Sequence, residues 1–420
     1  MQLGIRENLR PFLQQLLQVF FVGMTIGMQR TVIPGLAETE FGVAKGSMTA
    51  IFAFIVSFGS VKGTMNFISG RMCELFGRRP VLIWGWLIAL PIPFMIFWAP
   101  TWGWIVAANV LLGINQGFCW SMTVTAKLDI VRADQRGLAT GFNEFAGYGG
   151  VALAGLLTGY LASHFDPRLS LLVFGSGVIG LALLAAIVTF TETLPFAQAE
   201  AAAQDARAQG PVSSGYVEGY DNPTSGEVFA LVSWKNRTFL ALSQAGCIEK
   251  FVDALMWALV PVFMVSAGAS LIEIGWVTGI YGFVWGASQL WTGPLSDRVG
   301  RKWPTIAGFF ICAFGVLAFP YQVSVTAWAI AAAFTGVGMA LLHPTLIAAM
   351  GDLAHPSWRG SALGVYRFWR DIGYSFGALA MGLVADYFGM LEAGFWFTGT
   401  AMLASGLWLM LAMEETHPRT

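Results

Sequence analysis

Charge is scarce in this chain. Of its 420 residues only 11% are Asp, Glu, Lys or Arg and 56% are hydrophobic, with a mean hydropathy of +0.65. A soluble domain carries about 25% charged residues. A surface this apolar excludes a water-solvated globule and requires lipid over most of it. Cysteine is scarce too: Cys73, Cys119, Cys247 and Cys312 are scattered, with no CxxC pair and no metal-ligand spacing. That excludes a disulfide scaffold or zinc module and predicts free thiols acting as small apolar fillers. There is no P-loop, nucleotide fingerprint or hydrolase constellation. An ATP-driven pump and an enzyme altering covalent bonds are therefore not expected, nor is any cofactor or resident metal. No cleavable signal is read either: Met1–Gln14 is polar, with Arg6 and Arg10, and no small-residue cleavage site closes the first apolar run.

Long hydrophobic runs are what the chain has instead. They fall at roughly 12–35, 48–70, 80–99, 103–125, 138–161 and 169–190, then at 238–265, 272–293, 303–320, 325–350, 361–387 and 391–413. Twelve spans of ~20 residues with short loops fit the length. The fold expected is all-α and integral to the membrane. Sixteen of the 23 basic residues fall on the odd-numbered connections, Lys127, Arg132 and Arg136 among them, while only Lys45 and Arg168 fall on the other side. The positive-inside rule then places both termini in the cytoplasm of a bacterial inner membrane. Residues 196–236 break the pattern with AEAAAQDARAQG and a Gly/Ser/Pro/Asn-rich run. They read as a cytoplasmic linker between halves at 1–195 and 237–420.

The two halves repeat at one fixed offset of 223 residues. Gly70, Gly77, Arg78 and Arg79 match Gly293, Gly300, Arg301 and Lys302, and Glu74 matches Asp297. Asp129, Arg136, Gly137 and Gly141 match Asp352, Arg359, Gly360 and Gly364, and Glu192-Thr193-x-Pro195 matches Glu415-Thr416-x-Pro418. Two similarly oriented halves imply a pseudo-two-fold axis along the membrane normal and a solute site near the midplane.

These residues carry a resemblance. Gly70-Arg71-Met72-Cys73-Glu74-Leu75-Phe76-Gly77-Arg78-Arg79 and Gly293-Pro294-Leu295-Ser296-Asp297-Arg298-Val299-Gly300-Arg301-Lys302 resemble the major facilitator superfamily signature, GxxxD(R)xGR(K/R). The second copy matches in full; the first has Glu74 for the acid and Leu75 for the base that follows it. The resemblance implies two six-helix pseudo-symmetric bundles. It also implies that the signature residues, with Asp129, Arg136, Asp352 and Arg359, latch one conformation. The first glycine would allow close helix contact and the second a tight turn. Two departures from the family stand out. Asn109 takes the place, four before Gly113, where the family often has arginine, and Gly141–Gly150 lacks the proline of drug antiporters.

Ionisable side chains at membrane depth are costly and face a cavity or a partner. In the seventh run Glu249 and Asp253 share a helix face, with Lys250 three before Asp253. In the eleventh run Arg367 and Asp371 share a face with Arg370 beside them, and in the second Lys62 lies one turn from Asn66. A Lys62–Asp371 pair is an expected gate, with Lys62 snorkelling to the interface as its rival. Glu144 is the repeat partner of Arg367. Asn115, Gln116 and Asn143 are candidates for hydrogen bonds to the solute. Arg30 is a candidate solute contact with an interfacial role as its rival, and His343 is a proton-relay candidate with a hydrogen-bonded helix-break histidine as its rival. The tally of five bases to four acids at depth favours an anionic or zwitterionic solute. The expected function is proton-coupled secondary transport of a small solute by alternating access. Its partners are that solute, protons and the bilayer, with no nucleic acid or protein. The alternatives are efflux of amphipathic compounds, metal-ion transport through Glu144, Asp253, His343 and Cys119, or a transporter-like sensor that moves nothing.

Overall fold

The computed structural model describes residues 2–42, 48–208 and 223–417. Lys45, the linker stretch 209–222, Pro418, Arg419 and the side chains of Arg30 and Arg207 fall outside it. Sixteen α-helices, and no strand, form among the described residues. The first eight are α1 (Leu9–Thr39), α2 (Met48–Phe76), α3 (Arg78–Ala89), α4 (Ile92–Phe97), α5 (Trp102–Ile130), α6 (Arg136–His164), α7 (Pro167–Val188) and α8 (Leu194–Ala208). Then come α9 (Ser225–Ala230), α10 (Arg237–Ala254), α11 (Val260–Ser266), α12 (Leu271–Val299), α13 (Lys302–Ala318), α14 (Val325–Leu353), α15 (Arg359–Phe388) and α16 (Glu392–Ala412).

Local chemistry sets the boundaries. Asp166 accepts from the Leu169 N–H at 2.7 Å and Pro167 follows at the first helical position, which starts α7. Capping boxes Thr224/Glu227 and Ser270/Glu273 start α9 and α12. The N–H and hydroxyl of Thr224 hold the exposed Glu227 carboxyl below the usual carboxylate range. Pro91 and Pro93 separate α3 from α4, because each proline lacks the N–H a continuous helix needs. A widened π turn at Leu255–Leu259 joins α10 to α11, next to Pro261, whose ring clashes with the carbonyl four residues back.

Among the described residues eight segments are long and apolar enough to cross a membrane: one each in α1, α3–α4, α5, α6, α7, α13, α14 and α16. Helices α2, α12 and α15 have 29, 29 and 30 residues. At ~1.5 Å per residue they exceed the ~30 Å hydrocarbon core. The α10–α11 pair extends over residues 237–266 with its π turn inside. Leu156 and Phe283 are 74% and 76% exposed, as side chains that face lipid are. All four cysteines are free thiols.

The chain forms two compact units. The first comprises Met1–Arg132, Phe142–Ser214 and Pro356–Gly364. In it α5 packs on α1, α2, α3 and α4, while α7 covers α1, α3 and α4. Glycines let α1 and α6 touch backbone to backbone: a Cβ on Gly23 would strike the Gly147 carbonyl and one on Gly150 the Phe20 carbonyl. The second unit comprises Ala133–Gly141, Gly215–His355 and Val365–Thr420. There α14 packs against α10, α12 and α13, and α16 against α10 and α13. Phe395 seals this core at 5.1 Å from Phe263 and 5.4 Å from Phe319, ring centre to centre. Gly373 and Gly377 bring α15 onto α10.

The signature glycines split into two jobs. Gly77 and Gly300 have φ of +94° and +96°, which excludes a side chain without strain. Gly70 sits where α2 meets the first turn of α15, and a Cβ there would lie 2.6 Å from the Gly360 carbonyl oxygen and 3.0 Å from Gly364 Cα. Both obstacles are backbone and cannot rotate away. Gly70→Val is therefore expected to destabilise by about 1–3 kcal/mol, read as a lowered thermal midpoint of the solubilised protein. An unchanged midpoint would mean these helices do not press together at this glycine.

Candidate solute and proton site

The second unit gathers seven of the residues singled out from sequence. On α10, Glu249 and Asp253 lie one turn apart and are both wholly buried. On α15, Arg370 and Tyr374 share the same spacing. Glu249 Oε2 accepts from Arg370 Nε at 3.3 Å, and Asp253 Oδ2 accepts from the Tyr374 hydroxyl at 3.0 Å. Both contacts join residues 121 apart in sequence, so the two helices run in register as two rungs of a ladder. The first rung also holds His343 from α14. Its Nδ1 lies 2.5 Å from Arg370 Nη2 and 3.0 Å from Glu249 Oε1. A neutral imidazole nitrogen either accepts from Arg370 or donates to Glu249, not both, so the tautomer of His343 decides which neighbour it holds. Arg370 Nη1 also donates to Asp371 Oδ1 at 3.2 Å.

The second rung is aromatic. Asp253 Oδ1 accepts from the Tyr281 hydroxyl of α12 at 2.7 Å, and Oδ2 pairs with the Lys250 ammonium. Lys250 Nζ stands 5.2 Å from the Trp285 ring centre and 5.1 Å from that of Tyr374. It also lies 3.8 Å from Glu249 Oε1. Arg367 is buried in the same unit. The Gln289 amide on α12 is buried, with neither nitrogen nor oxygen hydrogen-bonded among the described residues.

The first unit has its own buried polar chain. Lys127 Nζ donates to Asn143 Oδ1 at 2.8 Å, Asn143 Nδ2 to Glu144 Oε1 at 2.9 Å, and Trp120 Nε1 to the same oxygen at 2.9 Å. Lys62 Nζ stands over Trp120 at 5.4 Å. Gln116 donates to Thr25 Oγ1 and Val22 O, and Asn115 to the Gly85 carbonyl. Lys127 corrects the sequence expectation of a loop base: it is wholly buried inside α5, opposite an acceptor on α6. Lys62 belongs to the first unit and Asp371 to the second. Among the described residues no three His, Cys, Asp or Glu converge to hold a metal, as metal-ion transport through Glu144, Asp253, His343 and Cys119 requires. Cys119 instead accepts from Asn115 at 3.3 Å.

The signature acids meet helix ends as well as arginines. Within the first unit Glu74 accepts from the Ser361 N–H and hydroxyl at 2.6 and 2.7 Å, at the start of α15. Within the second, Asp297 accepts from the N–H groups of Gly137 and Leu138, both at 2.8 Å, at the start of α6. A carboxylate at a helix N-terminus complements its dipole and its free N–H groups. Asp129 accepts from Arg78 Nε at 2.8 Å, and Asp352 from Arg301 Nε at 2.9 Å. Arg136 adds a second bond to Asp352 at 2.8 Å, whereas its repeat partner Arg359 is held by Glu200 of α8 through two bonds of 2.9 Å. Arg298 is exposed. Glu192 and Glu415, which stand out in the sequence only as a repeat, cap α3 and α13, the helices that follow the signature turns. Glu192 accepts from the Arg78 and Arg79 N–H groups, and Glu415 from those of Arg301 and Lys302. Arg79 additionally donates to the Ile187 carbonyl.

Membrane-length helices in two similar halves, with paired charges buried among them, define a multi-pass membrane transporter. The Major Facilitator Superfamily model matches residues 16–249 and 245–420, and the chain belongs to that family. The chain is 23% identical over 157 residues to an uncharacterised MFS-type transporter of Methanocaldococcus jannaschii, a match covering 37% of this chain and 40% of that protein. It is 22% identical to the proton-coupled antiporter flippase LtaA of Staphylococcus saprophyticus, over 98% of this chain and 96% of that one. Its fold is similar to the human organic anion transporter MFSD10, with a TM-score of 0.78 at 15% identity, covering 95% and 99% of the two chains.

Proposed function

We propose that this protein is a proton-coupled secondary transporter of a small anionic or zwitterionic solute, working by alternating access in a bacterial inner membrane with both termini cytoplasmic. What supports the solute class is Arg370: a buried guanidinium whose Nε and Nη2 face the Glu249 carboxylate at 3.3 and 3.4 Å, so an incoming anion can take the place of that carboxylate. Glu249, released from Arg370, then takes a proton, and the tautomer of His343 registers the exchange. Arg367, Lys250, Asp253 and Asp371 set the field around this step. In the first half we assign Lys62, Asn115, Gln116, Asn143 and Glu144, with Arg30, to the solute and proton pathway. The contacts of Glu74 with Ser361, of Asp297 with the start of α6 and of Arg136 with Asp352 join the two sequence halves and latch one conformation, while Arg78–Asp129 and Arg301–Asp352 brace each half.

A second reading is export of an amphipathic compound, favoured by the full-length likeness to LtaA, a proton-coupled antiporter flippase. Proteoliposomes decide between them. Under an imposed pH gradient, labelled small carboxylates, phosphates and amino acids are screened for accumulation that a protonophore abolishes. Accumulation of one such class is the expected result. Flux confined to amphipathic compounds would sink the first reading.

A further inference from the structure

We propose that the second rung is an ammonium-binding cage, and that Lys250 occupies it in place of the solute's own amino group. This rests on the reading of the ladder as the solute site, and narrows the solute to one carrying a primary ammonium beside its anionic group. The Asp253 carboxylate is wholly buried and takes hydroxyl donors from two elements, Tyr281 on α12 at 2.7 Å and Tyr374 on α15 at 3.0 Å. The cation it pairs with stands 5.2 Å from the Trp285 ring and 5.1 Å from the Tyr374 ring. An ion pair within one helix needs neither the two phenols nor the two ring faces. A carboxylate with aromatic walls is what recognition of a desolvated ammonium requires. The cation now present is tethered: it reaches Asp253 on a four-carbon stem from three residues away. A tethered ligand of this kind keeps the cage formed and charge-neutral while empty of solute, and it is displaced by a free ammonium presented together with an anion.

The ladder also sets a distance. The anion takes the place of the Glu249 carboxylate and the ammonium that of Lys250 Nζ, and these two groups stand 3.8 Å apart. That short spacing suits an amine and an acid on the same or neighbouring carbons better than a chain that holds them several carbons apart.

The test is binding to the full chain in detergent, with no flux measured. Lys250→Ala removes the tethered cation, and n-propylammonium supplies the three carbons and the charge that are lost beyond Cβ. The variant's thermal midpoint should rise on the order of 3 °C as n-propylammonium saturates the site. Tetramethylammonium, which has no N–H for Asp253, should do less. Wild type and the Lys250→Ala/Asp253→Asn double variant should not respond. Lys250→Met, which keeps the stem and loses only the charged end, repeats the test when titrated with ammonium itself. Equal shifts in all variants, or none in either Lys250 variant, overturn the cage. So does a Lys250 variant pair that fails to fold even with the amine present, because the cation is then needed for folding alone. A cage that binds amines in a protein without proton-driven flux would instead overturn the transport reading and leave the cage standing.

Discussion

Asp352→Asn is expected to destabilise the protein by about 3–5 kcal/mol, the cost of breaking a buried ion pair by removing one partner. Asp352 serves two arginines at once: Oδ1 accepts from Arg136 Nη1 at 2.8 Å and Oδ2 from Arg301 Nε at 2.9 Å. Both guanidinium groups are at most 1% exposed. An asparagine has one acceptor oxygen, so its NH2 must face one of the two arginines as donor against donor. Neither arginine sheds its charge. The repeat gives an internal control. Asp129 serves Arg78 and the Thr193 hydroxyl, one guanidinium rather than two. Asp129→Asn should therefore cost less, and the difference isolates the second arginine. Thermal midpoints of the two variants in detergent, with Arg136→Met added to each, form the comparison. Equal losses in the two aspartate variants would show that Arg136 contributes nothing through Asp352.

The repeat explains which features are legible in the sequence alone. A fixed offset of 223 residues exposes Gly77 and Gly300 together, and the turn each makes needs only a positive φ, which is a property of one residue. Helix positions follow from long apolar runs for the same reason. Side-chain partners are a different matter. Arg78 with Asp129 and Arg301 with Asp352 are each 51 residues apart in sequence, and no local periodicity encodes that register. Glu192 and Glu415 are visible as a matched pair, but their role as caps for helices 114 residues earlier is not. Lys127 misleads because a base near the end of an apolar run reads as interfacial. What buries it is the Asn143 acceptor on another helix.

The candidate site shows the same division. Glu249 and Asp253 share a face by i, i+4 spacing, which sequence alone gives. On α15 the spacing draws attention to Arg367 and Asp371, whereas the face meeting α10 carries Arg370 and Tyr374. Tyrosines in a span read as interfacial, so Tyr281 and Tyr374 give no signal. The asymmetric positions remain informative. Lys62, Trp120 and Glu144 are repeat partners of Trp285, His343 and Arg367. A cation over an aromatic ring in the first half, 5.4 Å away, corresponds to an edge-on Trp–His contact of 6.1 Å in the second. The same scaffold position holds the ring in one half and the titratable group in the other.

Arg370→Gln and Glu249→Gln should separate binding from coupling. Glutamine at 370 keeps a donor but loses the charge and the fork that grips an anion in two places. Charged hydrogen bonds contribute about 1.5–3 kcal/mol each, so uptake of the solute should fall on the order of 100-fold or more. Glu249 keeps Lys250 at 3.8 Å and His343 at 3.0 Å, so the variant should remain folded. Glutamine at 249 does the reverse. It leaves Arg370 free to hold the solute but carries no proton. Counterflow between equal solute pools should persist, while accumulation driven by a pH gradient disappears. In the double variant the two substitutions share one contact and their effects on binding should not add. Each step has its own refutation: wild-type uptake by Arg370→Gln removes the anion site, and gradient-driven accumulation by Glu249→Gln moves the proton to another group, with Asp253 and Asp371 next in line.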